Sequence, residues 1–294
     1  MNGDGHNRVA LAIGFVLLSS IVFAPLVQAS SKYLALTFPI LQILWMRSVG
    51  HTAWMIAVFW RSHGLAMFRS NRPGLQLARS TLMALCSFTW LLAIPHVPLA
   101  SAGVIMFTTP MFVALLAAPM LAERVGVHRA AAIVLGFAGV VVVLRPWAHE
   151  VVWEMLWTLV AAFSYAVYQI LTRRVAESDS AATSAVYAVA VSAIVVSLFM
   201  PWIYELPEAG AWHHWVGFVA VGFLGGFRHL FMVKAFESAP ASFVSPFCYT
   251  ELIGITLLGM VLFGEVPDAW TGVGAVVIVA SGLYIARRET SAAG

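Results

Sequence analysis

Apolar runs, each about as long as the 20 residues a helix needs to cross a bilayer, recur along the whole chain between short polar or Pro/Gly-bearing breaks. Ten are legible, near 9–31, 38–60, 76–95, 98–121, 127–145, 151–172, 181–203, 213–235, 241–263 and 269–286. The pattern predicts an all-α membrane protein with ten transmembrane helices. The connections are short and leave no stretch for a soluble domain. The first run, with Val27-Gln28-Ala29 near its end, has some features of a cleavable leader. It is longer than the apolar region of such a leader and is read as a retained helix.

Composition narrows the class further. Hydrophobic residues make up 61% of the 294 and charged residues 10%, and the mean hydropathy is +0.90. Such a chain cannot cover a water-facing surface with polar groups, which excludes a soluble enzyme, a nucleic-acid binder and a disordered scaffold. The net charge of +3 reflects orientation rather than a nucleic-acid partner. With the N-terminus inside, twelve basic residues (Arg8, Arg61, Arg69, Arg72, Arg79, Arg124, Arg129, Arg173, Arg174, Lys234, Arg287, Arg288) fall on the cytoplasmic side and two, Lys32 and Arg145, outside. By the positive-inside rule both termini are cytoplasmic, and the expected location is a bacterial inner membrane. Cys86 and Cys248 lie within apolar runs and give no sign of a disulfide framework.

The chain repeats itself. A shift of 142 residues places Ala93 on Ala235, Pro98 on Pro240, Thr108 on Thr250, Glu123 on Glu265 and Arg145 on Arg287, and a shift of 141 places Gln28 on Gln169 and Lys32 on Arg173. Two halves, 1–147 and 148–294, then carry five spans each. An odd number of spans inverts the second half relative to the first. Inverted repeats are the architecture of secondary transporters, with the substrate held near the midplane between the halves.

The residues carrying this repeat have a further likeness. Val97-Pro98-Leu99-Ala100-Ser101-Ala102, Thr109-Pro110-Met111-Phe112 and Glu123 form one copy, and Ala239 to Gly254 with Phe263-Gly264-Glu265-Val266-Pro267-Asp268 form the second. Together with Ser281-Gly282-Leu283-Tyr284, they resemble the drug/metabolite transporter superfamily, EamA type, over essentially the whole chain. The resemblance implies two inverted five-helix bundles around a substrate cavity, with no ATPase subunit. The stretch holding Lys32-Tyr33-Leu34, Gln42 and Arg47 is more similar to bacterial riboflavin and S-adenosylmethionine carriers than to aromatic amino-acid exporters.

Charges at membrane depth are costly and usually face a cavity or a partner. Arg47 lies roughly 13 Å inside its helix at 1.5 Å per residue, Glu251 near the midplane of the ninth span, and Arg228 with His229 within the eighth. Arg47 and Arg228 are candidates to grip a carboxylate or phosphate, because guanidinium does so bidentately. Glu251 is a candidate for a substrate cation or a coupling proton, and His229 for a proton relay. The plain alternative is an Arg228–Glu251 staple between helices. Lys32 either faces substrate or snorkels to the interface.

Gln28, Trp90, Phe247 and Tyr249 join the candidate substrate-binding set, as do Tyr165, Tyr168 and Gln169, which share a helical stripe with Thr172. Such a mixture suits a planar ring with polar edges. Ordinary helix packing is the alternative for each. Pro110 and Pro246 are candidate hinges in the fourth and ninth spans.

No phosphate-binding glycine loop and no zinc-protease motif occurs, so no cofactor and no metal is expected. His213-His214 lacks a third ligand in sequence. Expected partners are a small molecule and the bilayer, with the chain a monomer or homodimer. The expected activity is secondary transport of a small polar metabolite, such as a flavin, an amino-acid derivative, an S-adenosylmethionine-like compound or an organic anion or zwitterion, driven by a proton gradient or by exchange. A lipid-directed membrane enzyme and a non-transporting sensor are the rival classes.

Overall fold

A computed structural model describes residues 3–121, 126–148 and 152–292. Glu123 and Arg124 lie outside them. Every regular element among the described residues is helical, and the helices group into ten rods.

The first, α1, comprises Gly3–Leu17, a π-helical turn Leu18–Phe23 and Ala24–Ala35; α2 is Ile40–His63 and α3 is Pro73–Ala93. Next, α4 comprises Leu99–Met106 and Thr109–Leu121; α5 is Val127–Leu144 and α6 is Met155–Val175. In α7 the short helices Ala181–Tyr187, Ala190–Ser197 and Met200–Ile203 follow one another; α8 is Trp212–Ser238. Finally, α9 comprises Ala241–Val244, a 3₁₀ segment Ser245–Thr250 and Glu251–Phe263; α10 is Ala269–Ala292.

Eight rods are long and apolar enough to cross a membrane by length and composition, and α7 contributes a shorter apolar helix. The remaining rod, α2, is 24 residues long but carries Arg47, His51 and Arg61, which dilute its hydropathy. The expected uninterrupted seventh span is instead broken twice. Its β-branched residues and Pro201 lower helix propensity there.

The distribution of polarity is that of a protein dissolved in lipid. Val134, Ile194, Val261 and Val276 are all at least two-thirds exposed, while Gln42, Gln76, Arg79, Ser80 and Thr108 are almost fully buried. A buried polar group in hydrocarbon must find a partner, and several of these bind a different helix or loop. Gln42 donates to the Glu205 carbonyl at 2.8 Å and accepts from its N–H at 2.8 Å.

Helix pairing runs chiefly between the halves. The rod α3 packs along α6, α1 along α8, α5 along α10 and α2 along α8; α4 lies against α6, and α9 against α1. Renumbering each helix by five exchanges the α3–α6 pair with α8–α1, exchanges α4–α6 with α9–α1, and leaves α5–α10 unchanged. Connections meet at two ends. At one, the α2–α3 turn meets the α6–α7 turn through Ser70, Asn71 and Asp179. At the other, α1 and the α3–α4 and α9–α10 turns meet through Lys32, Val97 and Glu265. Trp147, Trp153, Trp202, Trp212 and Trp215 are all exposed, as suits aromatic residues of a membrane interface.

Candidate functional site

A cavity of about 620 Å³ lies inside the bundle, lined by α1 to α4 of the first half and α6, α8, α9 and α10 of the second. Its size is within the range of pockets for small molecules, about 300–1,000 Å³. Two of the lining rods are discontinuous there. The fourth breaks after Met106 and restarts at Thr109; the ninth passes through its 3₁₀ segment and restarts as an α-helix at Glu251. The 142-residue shift that aligns the repeat carries Thr109 onto Glu251, so the helices restart at equivalent positions. Pro110 sits in the first turn after one break and Pro246 at the start of the 3₁₀ segment; both line the cavity. A proline early in a helical segment removes a donor that had no partner anyway.

Glu251 opens its helix, where a negative charge is favoured by the macrodipole. Gln28 Nε2 donates to Glu251 Oε1 at 2.5 Å, and Arg228 Nη2 donates to Oε2 at 3.0 Å. This joins α1, α8 and α9 in one polar network. The Arg228 backbone carbonyl also accepts from Ser19 Oγ at 3.0 Å, within the π-helical turn of α1. A Cβ on Gly254 would strike the Ile21 carbonyl and the Pro25 ring, so glycine lets α9 lie directly against that turn.

Arg47 lines the same cavity, yet makes no hydrogen bond or ion pair among the described residues. Aromatic walls complete the site. Tyr249 packs on Phe107 with ring centroids 4.8 Å apart, Tyr165 stacks on Tyr168 at 5.6 Å, and Trp90 is nearly fully buried.

Of the residues picked from sequence, Arg47, Arg228, Glu251, Gln28, Trp90, Tyr165, Gln169 and Tyr249 line the cavity. Lys32, Tyr168 and Phe247 are not among its walls. Lys32 Nζ donates to the Val97 carbonyl at 2.7 Å and pairs with Glu265. Glu265 in turn accepts from the Leu99 N–H at 2.8 Å, capping α4. A lysine near the interface thus fastens helix ends together rather than snorkelling. Tyr168 turns to Arg79, whose guanidinium lies 5.0 Å from its ring centroid, and Thr172 accepts from Arg79 at 3.1 Å. The stripe on α6 therefore splits between the cavity and Arg79. Phe247 packs with Phe243 and an apolar cluster containing Ala12 and Val16. His229 lies 6.0 Å, ring to ring, from His51, between α8 and α2; its helical neighbour Arg228 points about 100° away, as 3.6 residues per turn requires.

The sequence reading missed several groups. Cys86, Phe107, Thr109 and Cys248 line the cavity. Arg79, counted as a cytoplasmic surface charge, is 1% exposed inside α3. Its place as the seventh residue of the helix that Pro73 starts was the available signal. Asp179 gathers Ser70 Oγ, the Asn71 N–H and Gln76 Nε2 at the end of the bundle. Desolvation would raise its pKa, but these donors outweigh it and hold the carboxyl below its usual value. Among the described residues no cluster of three or more His, Cys, Asp or Glu is placed to hold a metal ion.

Comparison with known proteins gives the same reading in both halves. The model of the EamA-like transporter family matches residues 10–145 and again 152–287. The chain is 29% identical over 289 residues to an S-adenosylmethionine uptake transporter of Rickettsia felis, covering 98% of this chain and 97% of that one. It is 30% identical over 224 residues to a riboflavin transporter of Vibrio cholerae, covering 76% and 74%. A solved crystal structure superposes with a TM-score of 0.62 at 21% identity over 95% of each chain, which is a likeness of fold. With ten helical rods, a cavity walled by both halves and two matches to one family model, the chain is a multi-pass membrane protein and belongs to the EamA-like transporter family.

Proposed function

We propose that the protein carries a small metabolite with a planar ring across a bacterial inner membrane by alternating access between two inverted halves, residues 1–147 and 148–294. The observation that carries this reading is the cavity itself, walled by four helices from each half and interrupted by equivalent breaks in α4 and α9. Discontinuous helices at a midplane site between repeats are how secondary transporters present backbone and side-chain groups to a substrate. The exchange of helix pairs on renumbering by five supports the inversion. The names of the relatives support a ring-bearing cargo, and Trp90, Phe107, Tyr165 and Tyr249 supply its walls.

In the conformation described, the lining extends to Phe236, Ser245, Pro246 and Ala286, near the ends of α8, α9 and α10 that lie with the chain termini. The opposite end is held shut by Lys32–Glu265 and by Gln42 on the Glu205 backbone. With both termini cytoplasmic, this is an inward-facing state. Glu251, the one carboxylate among the described lining residues, is the group through which a proton gradient would act; exchange is the other source of drive. A lipid-directed enzyme would require several carboxylates or histidines at one interface, which this lining does not supply.

The test is counterflow in proteoliposomes holding the purified chain. Labelled riboflavin or S-adenosylmethionine should accumulate against unlabelled internal substrate, and Glu251→Gln should lower accumulation by about tenfold or more. Accumulation equal to that of empty liposomes for both compounds, and for an amino-acid and organic-acid panel, would sink the proposal.

A further inference from the structure

The charges in the cavity are unequal. Three charged side chains line it among the described residues: Arg47, Arg228 and Glu251. Two cations against one anion leave a net charge of +1. They are also not equally engaged. Both oxygens of Glu251 already accept hydrogen bonds, one from Gln28 and one from Arg228. Arg228 is spent on that pair, and its 38% exposure reflects its position on the cavity wall. Arg47 has neither a hydrogen bond nor an ion pair among the described residues, and it reaches the same space from α2.

An unpaired guanidinium at membrane depth is costly until something neutralises it. Its planar fork matches an oxyanion, to which it can give two parallel hydrogen bonds. Nothing among the described wall residues serves that purpose, whereas an arriving ligand can. From this the geometry points to a specificity rule. Arg47 is the substrate's anion anchor, and the preferred cargo is a planar-ring metabolite bearing a carboxylate or phosphate and a net negative charge.

This inference rests on the transport reading above and sharpens it. It disfavours a net cation: S-adenosylmethionine is a sulfonium whose amino and carboxylate charges cancel, so it adds positive charge to an already positive site. Glu251 differs from Arg47 in being already engaged: it holds Arg228 and Gln28, and a substrate amine would have to displace one of them to reach it.

Binding of matched probes to the purified full-length chain tests the rule. Nicotinate and nicotinamide share one ring and differ in a carboxylate; flavin mononucleotide and riboflavin share another and differ in a phosphate. Affinity is read by calorimetry, with thermal shift as a second readout. The anionic member of at least one pair should bind wild-type protein roughly tenfold or more tightly than its neutral partner, an easily resolved difference of about 1.4 kcal/mol. Which pair shows it separates carboxylate from phosphate recognition. Arg47→Gln should erase the preference, and Arg47→Lys should restore part of it, because a point charge replaces a fork. Arg47→Lys also guards against a folding defect in the glutamine variant.

Neutral members or S-adenosylmethionine binding wild type as tightly as the anions would overturn the rule, as would a preference that survives Arg47→Gln. In those cases counterflow of the tighter-binding compound would still uphold transport. Binding of no probe together with absent counterflow would overturn both.

Discussion

Gln28 in the first half donates to Glu251 in the second at 2.5 Å, across the cavity wall where α1 meets α9. Arg228 meets the other oxygen of the same carboxylate at 3.0 Å. A single side chain therefore ties together three helices drawn from both halves, and any rocking of one half against the other must alter its surroundings.

Replacing Glu251 by Gln keeps the volume and one acceptor but leaves Arg228 without its charge partner. Because Arg228 is partly exposed to the cavity, the loss is smaller than for a fully buried pair, about 1–3 kcal/mol. Thermal unfolding in detergent should show a lower midpoint, and liposome uptake should fall by about tenfold or more, the effect of roughly 1.4 kcal/mol on the transport step. Unchanged uptake together with a lowered midpoint would reduce the pair to a structural staple.

The Lys32–Glu265 pair closes the end of the bundle away from the termini. Lys32→Met and Glu265→Gln should each loosen that end. The native cavity cysteines, Cys86 and Cys248, report this directly. In sealed right-side-out vesicles an impermeant maleimide should modify Cys86 several-fold faster in either variant than in wild type. Equal labelling rates would show that the pair does not limit access.

Two glycines should respond differently to the same substitution. A Cβ on Gly254 meets backbone, the Ile21 carbonyl, whereas one on Gly282 meets the hydroxyl end of the Tyr249 side chain. Backbone cannot yield, so Gly254→Ala should cost at the upper end of overpacking penalties, about 3 kcal/mol. Tyr249 can swing, so Gly282→Ala should cost ~1 kcal/mol while pushing the phenol into the cavity and weakening ligand binding. Midpoints in the reverse order would contradict the packing described for α9.

At the terminus-bearing end, Asp179 has its pKa depressed by Ser70, Gln76 and the Asn71 N–H despite the opposing desolvation. A depressed carboxyl stabilises the folded state above its unfolded pKa, about 3.9, and that stabilisation is lost as pH falls through the lower folded value. Wild-type protein should therefore lose stability on acidification below about pH 4 more steeply than Asp179→Asn. At neutral pH the variant should be the less stable of the two. Parallel pH–stability curves for the two proteins would show that the cluster contributes nothing.

Ten apolar runs, a mean hydropathy of +0.90 and a repeat at 142 residues were enough to reach helices, membrane and transporter family, because those depend on transfer of whole segments and on local periodicity. Arg47, Arg228 and Glu251 stood out for the same reason, since charge at membrane depth is rare. What the sequence could not decide was direction and pairing. Lys32 reads as an interfacial lysine until α9 and α10 bring Glu265 to it from 233 residues away. Tyr165 and Tyr168 share a stripe, yet one walls the cavity and the other holds Arg79. The two arginines look equivalent along the chain; only the tertiary structure sets Glu251 of α9 within reach of Arg228 and leaves Arg47 without a hydrogen bond or ion pair among the described residues. Hydropathy is a property of each residue and survives in one dimension, whereas neutralisation of a charge depends on which helix lies next to it.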